Sequence, residues 1–125
     1  MDHADIATLA DRMFAAIEAG DVDAVRGIYA DDVTVWHNFD NTDQSRDQNL
    51  ATLGWMHAHA SNLRYTEVRR IVLDHGFVQQ HVLRATARNG VEMVIPAILH
   101  IHCADGRITR VEEYLDPAQA AAMRG

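Results

Sequence analysis

Residues 63–115 read LRYTEVRRIVL, DHG, FVQQHVLRATAR, NG, VEMVIPAILHIHC, ADG, RITRVEEYL, and the fold turns on how that stretch is parsed. Apolar and β-branched residues recur with a period of two across Leu63–Leu73, Phe77–Arg88, Val91–Cys103 and Arg107–Leu115, which predicts four consecutive strands. Their connectors are Asp74-His75-Gly76, Asn89-Gly90 and Asp105-Gly106. The last two are strong hairpin signals, because Asn, Asp and Gly tolerate positive φ. An antiparallel meander follows. Strands of more than ten residues are long for a flat sheet and natural for one that wraps. Pro96 inside the third predicts a bulge or bend there.

Upstream of residue 63 the period becomes helical. From Ile6 the residues Leu9, Ala10, Met13 and Ile17 share one helix face, and Gly20 ends the run. Asp21 caps a short second helix carrying Val22, Val25 and Ile28. Val33-Thr34-Val35-Trp36-His37 is β-branched and aromatic, hence a strand, and a polar loop from Asp40 to Gln44 follows. Ser45-Arg46-Asp47-Gln48 has capping-box spacing and opens a third helix running to about Ala60. Pro117 begins a short Ala-rich tail, read as a helical turn. The order α-α-β-α-β-β-β-β predicts an α+β fold, a cone-like roll in which a strongly curved antiparallel sheet wraps the N-terminal helices. The open end of such a roll makes an apolar pocket, where function is expected.

The 125 residues suit one domain, 1–125, and 48% hydrophobic against 23% charged residues excludes a disordered or low-complexity chain. The longest apolar stretch, Met93 to Ile101, contains Pro96 and His100 and falls short of the ~20 residues of a membrane helix. No membrane association is expected. The acidic start at Asp2 and Asp5 is unlike a basic signal peptide, so a cytoplasmic location is the expectation. A net charge of −7, with only Arg69-Arg70 adjacent among the bases, argues against nucleic acid; alternation splits that pair across a strand and suggests a solvated edge. The single cysteine, Cys103, reads as a small buried strand residue.

The element order, together with Ala19-Gly20-Asp21-Val22-Asp23, Tyr29-Ala30-Asp31-Asp32-Val33-Thr34-Val35 and Gly106-Arg107-Ile108-Thr109, resembles the nuclear transport factor 2-like superfamily in its SnoaL-like branch. That group includes ketosteroid isomerases, limonene-epoxide hydrolases and SnoaL-type polyketide cyclases, beside pocket-bearing domains without chemistry. Against the isomerases, the resemblance places His37 at the Asp general base, Met13 at the oxyanion-hole Tyr and Leu99 near the protonated Asp. With both donors replaced, a true steroid isomerase is not expected, since losing one such donor typically costs ~10²-fold or more in rate. Against the epoxide hydrolases and cyclases, Glu113 takes the place of the catalytic Asp, and Asn38 and Trp36 take those of the water-orienting Asn and Tyr. The Arg-x-Asp pair appears as His81-Val82-Leu83, so His81 stands in for an acid.

On this resemblance Glu113, Val111 and Thr109 face a greasy interior with Phe77, His81, Leu83, Ile95, Ala97 and Leu99. Met13, Trp36, Asn38, Trp55 and Leu115 complete the expected wall. Alternation lets only one of Trp36 and His37 reach the pocket unless a bulge intervenes. A carboxylate and an imidazole in such surroundings can act as base and acid near neutral pH. The expectation is a cofactor-independent acid–base enzyme, of isomerase, cyclase or epoxide-hydrolase type, acting on a lipophilic small molecule; a non-catalytic ligand-binding or dimerising module is the alternative. No metal is expected: His100 and His102 share an outward strand face, His57 and His59 lie ~200° apart on a helix, and no third ligand recurs at zinc spacing. Val94, Ile98 and the two strand histidines suggest a homodimer through the outer sheet face.

Overall fold

The computed structural model describes residues 1–125. Three helices, α1 (His3–Ala19), α2 (Val22–Ile28) and α3 (Arg46–His59), lie against strands β1 (Tyr29–His37), β2 (Thr42–Gln44), β3 (Ala60–Leu73), β4 (Gly76–Ala87), β5 (Glu92–Ala104) and β6 (Arg107–Leu115). A 3-10 helix, Pro117–Arg124, ends the chain. No helix is long and apolar enough to cross a membrane.

Local chemistry sets the helix ends. Asp2 and Asp5 form a capping box at α1, and Gly20 closes it in the left-handed region, φ 73°. Asp21 caps α2, and Ser45 with Gln48 forms the capping box of α3. The apolar face of α1, from Ile6 to Ile17, packs into the concave side of the sheet with Phe77, Leu99, Ile101 and Val111. A smaller cluster, Ala60, Leu63, Ala85, Ala87, Met93 and Ile95, fills the other end of the roll, and the C-terminal 3-10 helix lays Ala120 and Met123 against it.

The six strands run in the order β2-β1-β6-β5-β4-β3. The meander β3 to β6 is antiparallel as expected, but β1 runs parallel to β6, so the sheet is mixed. The first strand begins at Tyr29 rather than Val33, and the Asp40–Gln44 loop closes a tight hairpin in which Thr42–Gln44 pair back onto β1. Of the bulge or bend expected at Pro96, no bulge forms: Val82 pairs with Pro96 in unbroken register. Strand β6 ends at Leu115, opposite Ala97, so the β6 ladder has run out where Pro96 begins and the missing N–H costs no bond there. Curvature comes instead from β3, whose register shifts on either side of Arg64 and Thr66, with Asn62 (φ 55°) and Glu67 (φ 54°) in the left-handed region. A further bulge opposite His102 and Cys103 makes Thr109 the extra residue of β6; Ile108, not Thr109, points into the core.

Arg70 departs from the solvated-edge reading. The bulges change the parity of β3, and the Arg70 guanidinium turns under the sheet, 5.6 Å from the Phe77 ring centre, donating to Gln79 and Asp11.

Candidate active site

Between α1, α3 and the concave sheet lies an apolar cavity of about 220 Å³. Met13 and Phe14 reach it from α1, Leu53, Trp55 and Met56 from α3, and Leu83, Ile95, Leu99, Val111 and Leu115 from the sheet. Pro117, Met123 and Arg124 of the C-terminal 3-10 helix stand at its edge, with the Arg124 guanidinium 5.5 Å from the Trp55 ring centre.

Two ionisable side chains enter this space from adjacent parallel strands. His37 and Glu113 are Cα partners, so alternation on β1 (Val33, Val35, His37) and on β6 (Val111, Glu113, Leu115) aims both inward. His37 Nε2 lies 3.0 Å from Glu113 Oε1, and both side chains are largely buried. Burial works against an imidazolium at His37, but the hydrogen bond and charge of Glu113, helped by Asp40, outweigh it and hold the ring above its ordinary pKa. Glu113 thus favours the charged form of the imidazole that faces it.

Four expected site residues stand elsewhere. Trp36, one residue before His37, points to the outer face, where its Nε1–H donates to Asn41 and its ring meets Tyr114 edge-on. Asn38 lies past the end of β1 and ties strands together: its Oδ1 accepts from Leu115 N, and its N–H donates to the Glu113 carbonyl. Ala97, opposite Leu115 at the β6 terminus, packs half-buried against the main core and does not line the cavity. His81 faces inward but is buried in the core between Phe14 and Tyr65 and does not line the cavity. Its Nδ1 is 2.9 Å from Gln79 Nε2, and burial pulls its pKa below the ordinary value, with Glu113 opposing, so the ring is a neutral acceptor.

Sequence reasoning missed two phenols. Tyr65 on β3 and Tyr29 at the start of β1 both line the cavity. Burial, then the charge of Glu113, raises both above the ordinary tyrosine range, so both remain protonated donors. Tyr29 donates to Asn49 Oδ1, whose Nδ2 donates to Gln44. The alternating pattern of residues 63–73 placed Tyr65 on a strand; nothing in it distinguished the inward face, because the face changes at Glu67.

A curved α+β sheet enclosing an apolar cavity with an acid–base pair defines a class of small pocket-bearing proteins. The chain belongs to the SnoaL-like domain family, whose model matches residues 10–111. No curated protein matches it in sequence. Among solved structures it is similar to a candidate polyketide cyclase from Xanthomonas campestris pv. campestris, at 21% identity over 98% of each chain and a TM-score of 0.84. It is also similar to a candidate isomerase from Bacillus subtilis, at 12% identity over 100% of this chain and 96% of that one, TM-score 0.85. A ketosteroid isomerase-like fold from Catenulispora acidiphila, solved in complex with trimethylamine, aligns at 14% identity over 92% and 90% of the two chains, TM-score 0.79. Identities this low establish the shared fold, and the nuclear transport factor 2-like architecture with it.

Proposed function

We propose that this protein is a cofactor-independent acid–base enzyme that isomerises, cyclises or hydrates a compact lipophilic molecule. One observation carries the reading: the 3.0 Å contact between His37 Nε2 and Glu113 Oε1 inside an apolar cavity. The Glu113 carboxylate takes a proton from a substrate carbon beside a carbonyl, or from a water, while the Tyr65 phenol or the His37 imidazolium donates to the oxygen on which negative charge develops. The apolar walls exclude competing water, which strengthens each of these electrostatic contacts. A cavity of about 220 Å³ is smaller than the ~300 Å³ at the lower end of ordinary ligand pockets and favours a substrate of one or two rings over a tetracyclic one. The likeness to a candidate cyclase and a candidate isomerase, and a relative's complex with trimethylamine, supports a small occupant. The same reading includes a homodimer formed through the outer sheet face around Val94, Ile98 and Tyr114.

Glu113→Gln keeps the size of the side chain and removes the base. Turnover of small cyclic ketones and epoxides should fall by ~10²-fold or more while the melting temperature stays within a few degrees. Unchanged turnover would exclude the mechanism. If the unmodified protein turns over none of them but retains a ligand, and Leu99→Ala weakens that retention, the chain is a binding module instead.

A further inference from the structure

On the opposite side of the sheet from the cavity, three imidazoles converge from two neighbouring elements. His100 and His102 lie two residues apart on β5 and so share its outer face, their rings stacked 4.4 Å apart. His75 comes from the turn between β3 and β4, beyond the reach of any ligand-spacing rule along the sequence. Backbone pairing brings it in: Gly76 is the Cα partner of His102, and Cys103 N–H donates to the His75 carbonyl at 2.8 Å. One ring nitrogen of each histidine lies within 4.8 Å of the others, and the Nε2 atoms of His75 and His100 are 2.8 Å apart. A carboxylate completes the group. Glu112 Oε1 is 3.3 Å from His102 Nε2 and 3.6 Å from His100 Nδ1, while Arg110 Nε, 3.7 Å from Oε2, holds the other oxygen.

We propose that His75, His100 and His102, with Glu112 as fourth donor, bind one borderline divalent cation such as zinc on the outer face of the sheet. Three imidazoles and one carboxylate form a donor set suited to zinc, cobalt or nickel rather than calcium or magnesium, which take oxygen ligands. Tetrahedral zinc with bonds of ~2.0–2.1 Å to nitrogen sets its ligand atoms ~3.3 Å apart. His75 Nε2 and His100 Nε2 at 2.8 Å, and His102 Nε2 and Glu112 Oε1 at 3.3 Å, lie near that spacing, while His100, whose contact with Glu112 is through Nδ1, offers the metal one ring nitrogen only. Small rotations of partly exposed rings close the difference, and no core atom has to move. The two facing Nε2 atoms of His75 and His100 can hydrogen-bond in the metal-free protein only if one carries a proton and the other does not; a cation satisfies both at once. The site shares no residue with the cavity and stands or falls independently of the proposed reaction.

The test is titration of chelator-treated, dialysed protein with cobalt(II) at pH 7.5, followed by the visible d–d absorption of a low-coordinate complex and by competition with zinc(II). One cobalt per chain is expected, at micromolar affinity or tighter, displaced by zinc. His102→Gln should weaken binding by about 100-fold and Glu112→Gln by about 10-fold, whereas His59→Gln, on α3 and away from the cluster, should leave it unchanged. Zinc should raise the melting temperature of the unmodified protein and not of His102→Gln. Should His102→Gln fail to fold, His75→Gln in the exposed turn makes the same measurement. Absence of saturable binding, binding by His102→Gln and His75→Gln as tight as by the unmodified protein, or one metal per two chains would each overturn the proposal.

Discussion

Asp11, Arg70, Gln79 and His81 form a chain of hydrogen bonds in which each atom's role is fixed by the one before. Arg70 has only donors, so Gln79 Oε1 must accept from it, and the amide nitrogen is left to face His81 Nδ1. That nitrogen can serve only as an acceptor, which makes His81 a neutral ring with its proton on Nε2. Protonation would set two donors against each other, in agreement with the lowered pKa. His37 has the opposite bias, its charged form held by Glu113. The two therefore act on stability in adjoining pH windows. The His37 contribution is complete below the unfolded value of about 6.5 and is lost as pH rises through its raised folded value; the His81 contribution is present above 6.5 and lost as pH falls through its lowered one. Melting temperature against pH should form a dome near 6.5. His37→Gln should flatten its alkaline side and His81→Gln its acid side, the latter from a baseline roughly 1–3 kcal/mol less stable because a buried partner is lost. His57 and His100, also lowered by burial, keep part of the acid slope, so the difference between protein and variant is the quantity to read. Equal slopes in protein and variants would remove this account. His37 and Glu113 were singled out by the family resemblance; alternation alone left Trp36 and His37 as rivals for the inward face, and the pairing of His37 with Glu113 across β1 and β6 decides between them. Arg70, Tyr65 and the role of His81 were not, because each depends on which way β3 faces after its bulges.

Helix ends and hairpins were readable because each is written within about four residues: Gly20, Asp21, the Ser45 and Gln48 pair, Asn89-Gly90 and Asp105-Gly106 all stand where the elements turn. The parallel pairing of β1 with β6 joins residues more than seventy positions apart, and a left-handed Glu67 inside a run of β-formers contradicts every local preference; neither has a local signature. Two glycines show how differently the same residue can be constrained. At Gly76, the start of β4, a Cβ would lie 1.8 Å from the Ile101 carbonyl oxygen, because the hairpin crosses β5 with no room for a side chain. Gly76→Ala should cost about 3 kcal/mol by displacing backbone, and should displace His75 with it. Gly54, in the middle of α3, has nothing within 4 Å of a built Cβ. Gly54→Ala should stabilise by roughly 0.5–1 kcal/mol through helix propensity alone. Denaturant midpoints distinguish the two; a tolerated Gly76→Ala would mean the turn can slide along β5.

The outer face of the whole sheet presents a physical problem that the cavity does not solve. An antiparallel sheet with one face in water ordinarily shows polar residues there. Here Val94, Ile98 and Tyr114 are each more than a third exposed, near one another on β5 and β6, with Trp36 packed against Tyr114 on β1. Leaving them in water forfeits ~25 cal/mol for every Å² of apolar surface that a partner would cover. Strands β5, β6 and β1, of 13, 9 and 9 residues at ~3.3 Å each and ~4.8 Å apart, give a footprint on the order of 500 Å² before side-chain relief is added. That approaches the ~800 Å² each partner contributes to a standard interface. A second copy fits because a two-fold pairing sets the same patch against itself, so each apolar residue meets an apolar residue, whereas the net charge of −7 disfavours contact anywhere the surface is acidic. Sedimentation at micromolar concentration should therefore give a species of twice 14.0 kDa. Ile98→Arg, placing two like charges opposite each other at the centre of the patch, should return it to the mass of one chain without lowering the melting temperature of the monomer by more than a few degrees. A single 14.0 kDa species from the unmodified protein would show that this face stays in water, and the exposed apolar residues would then need another partner.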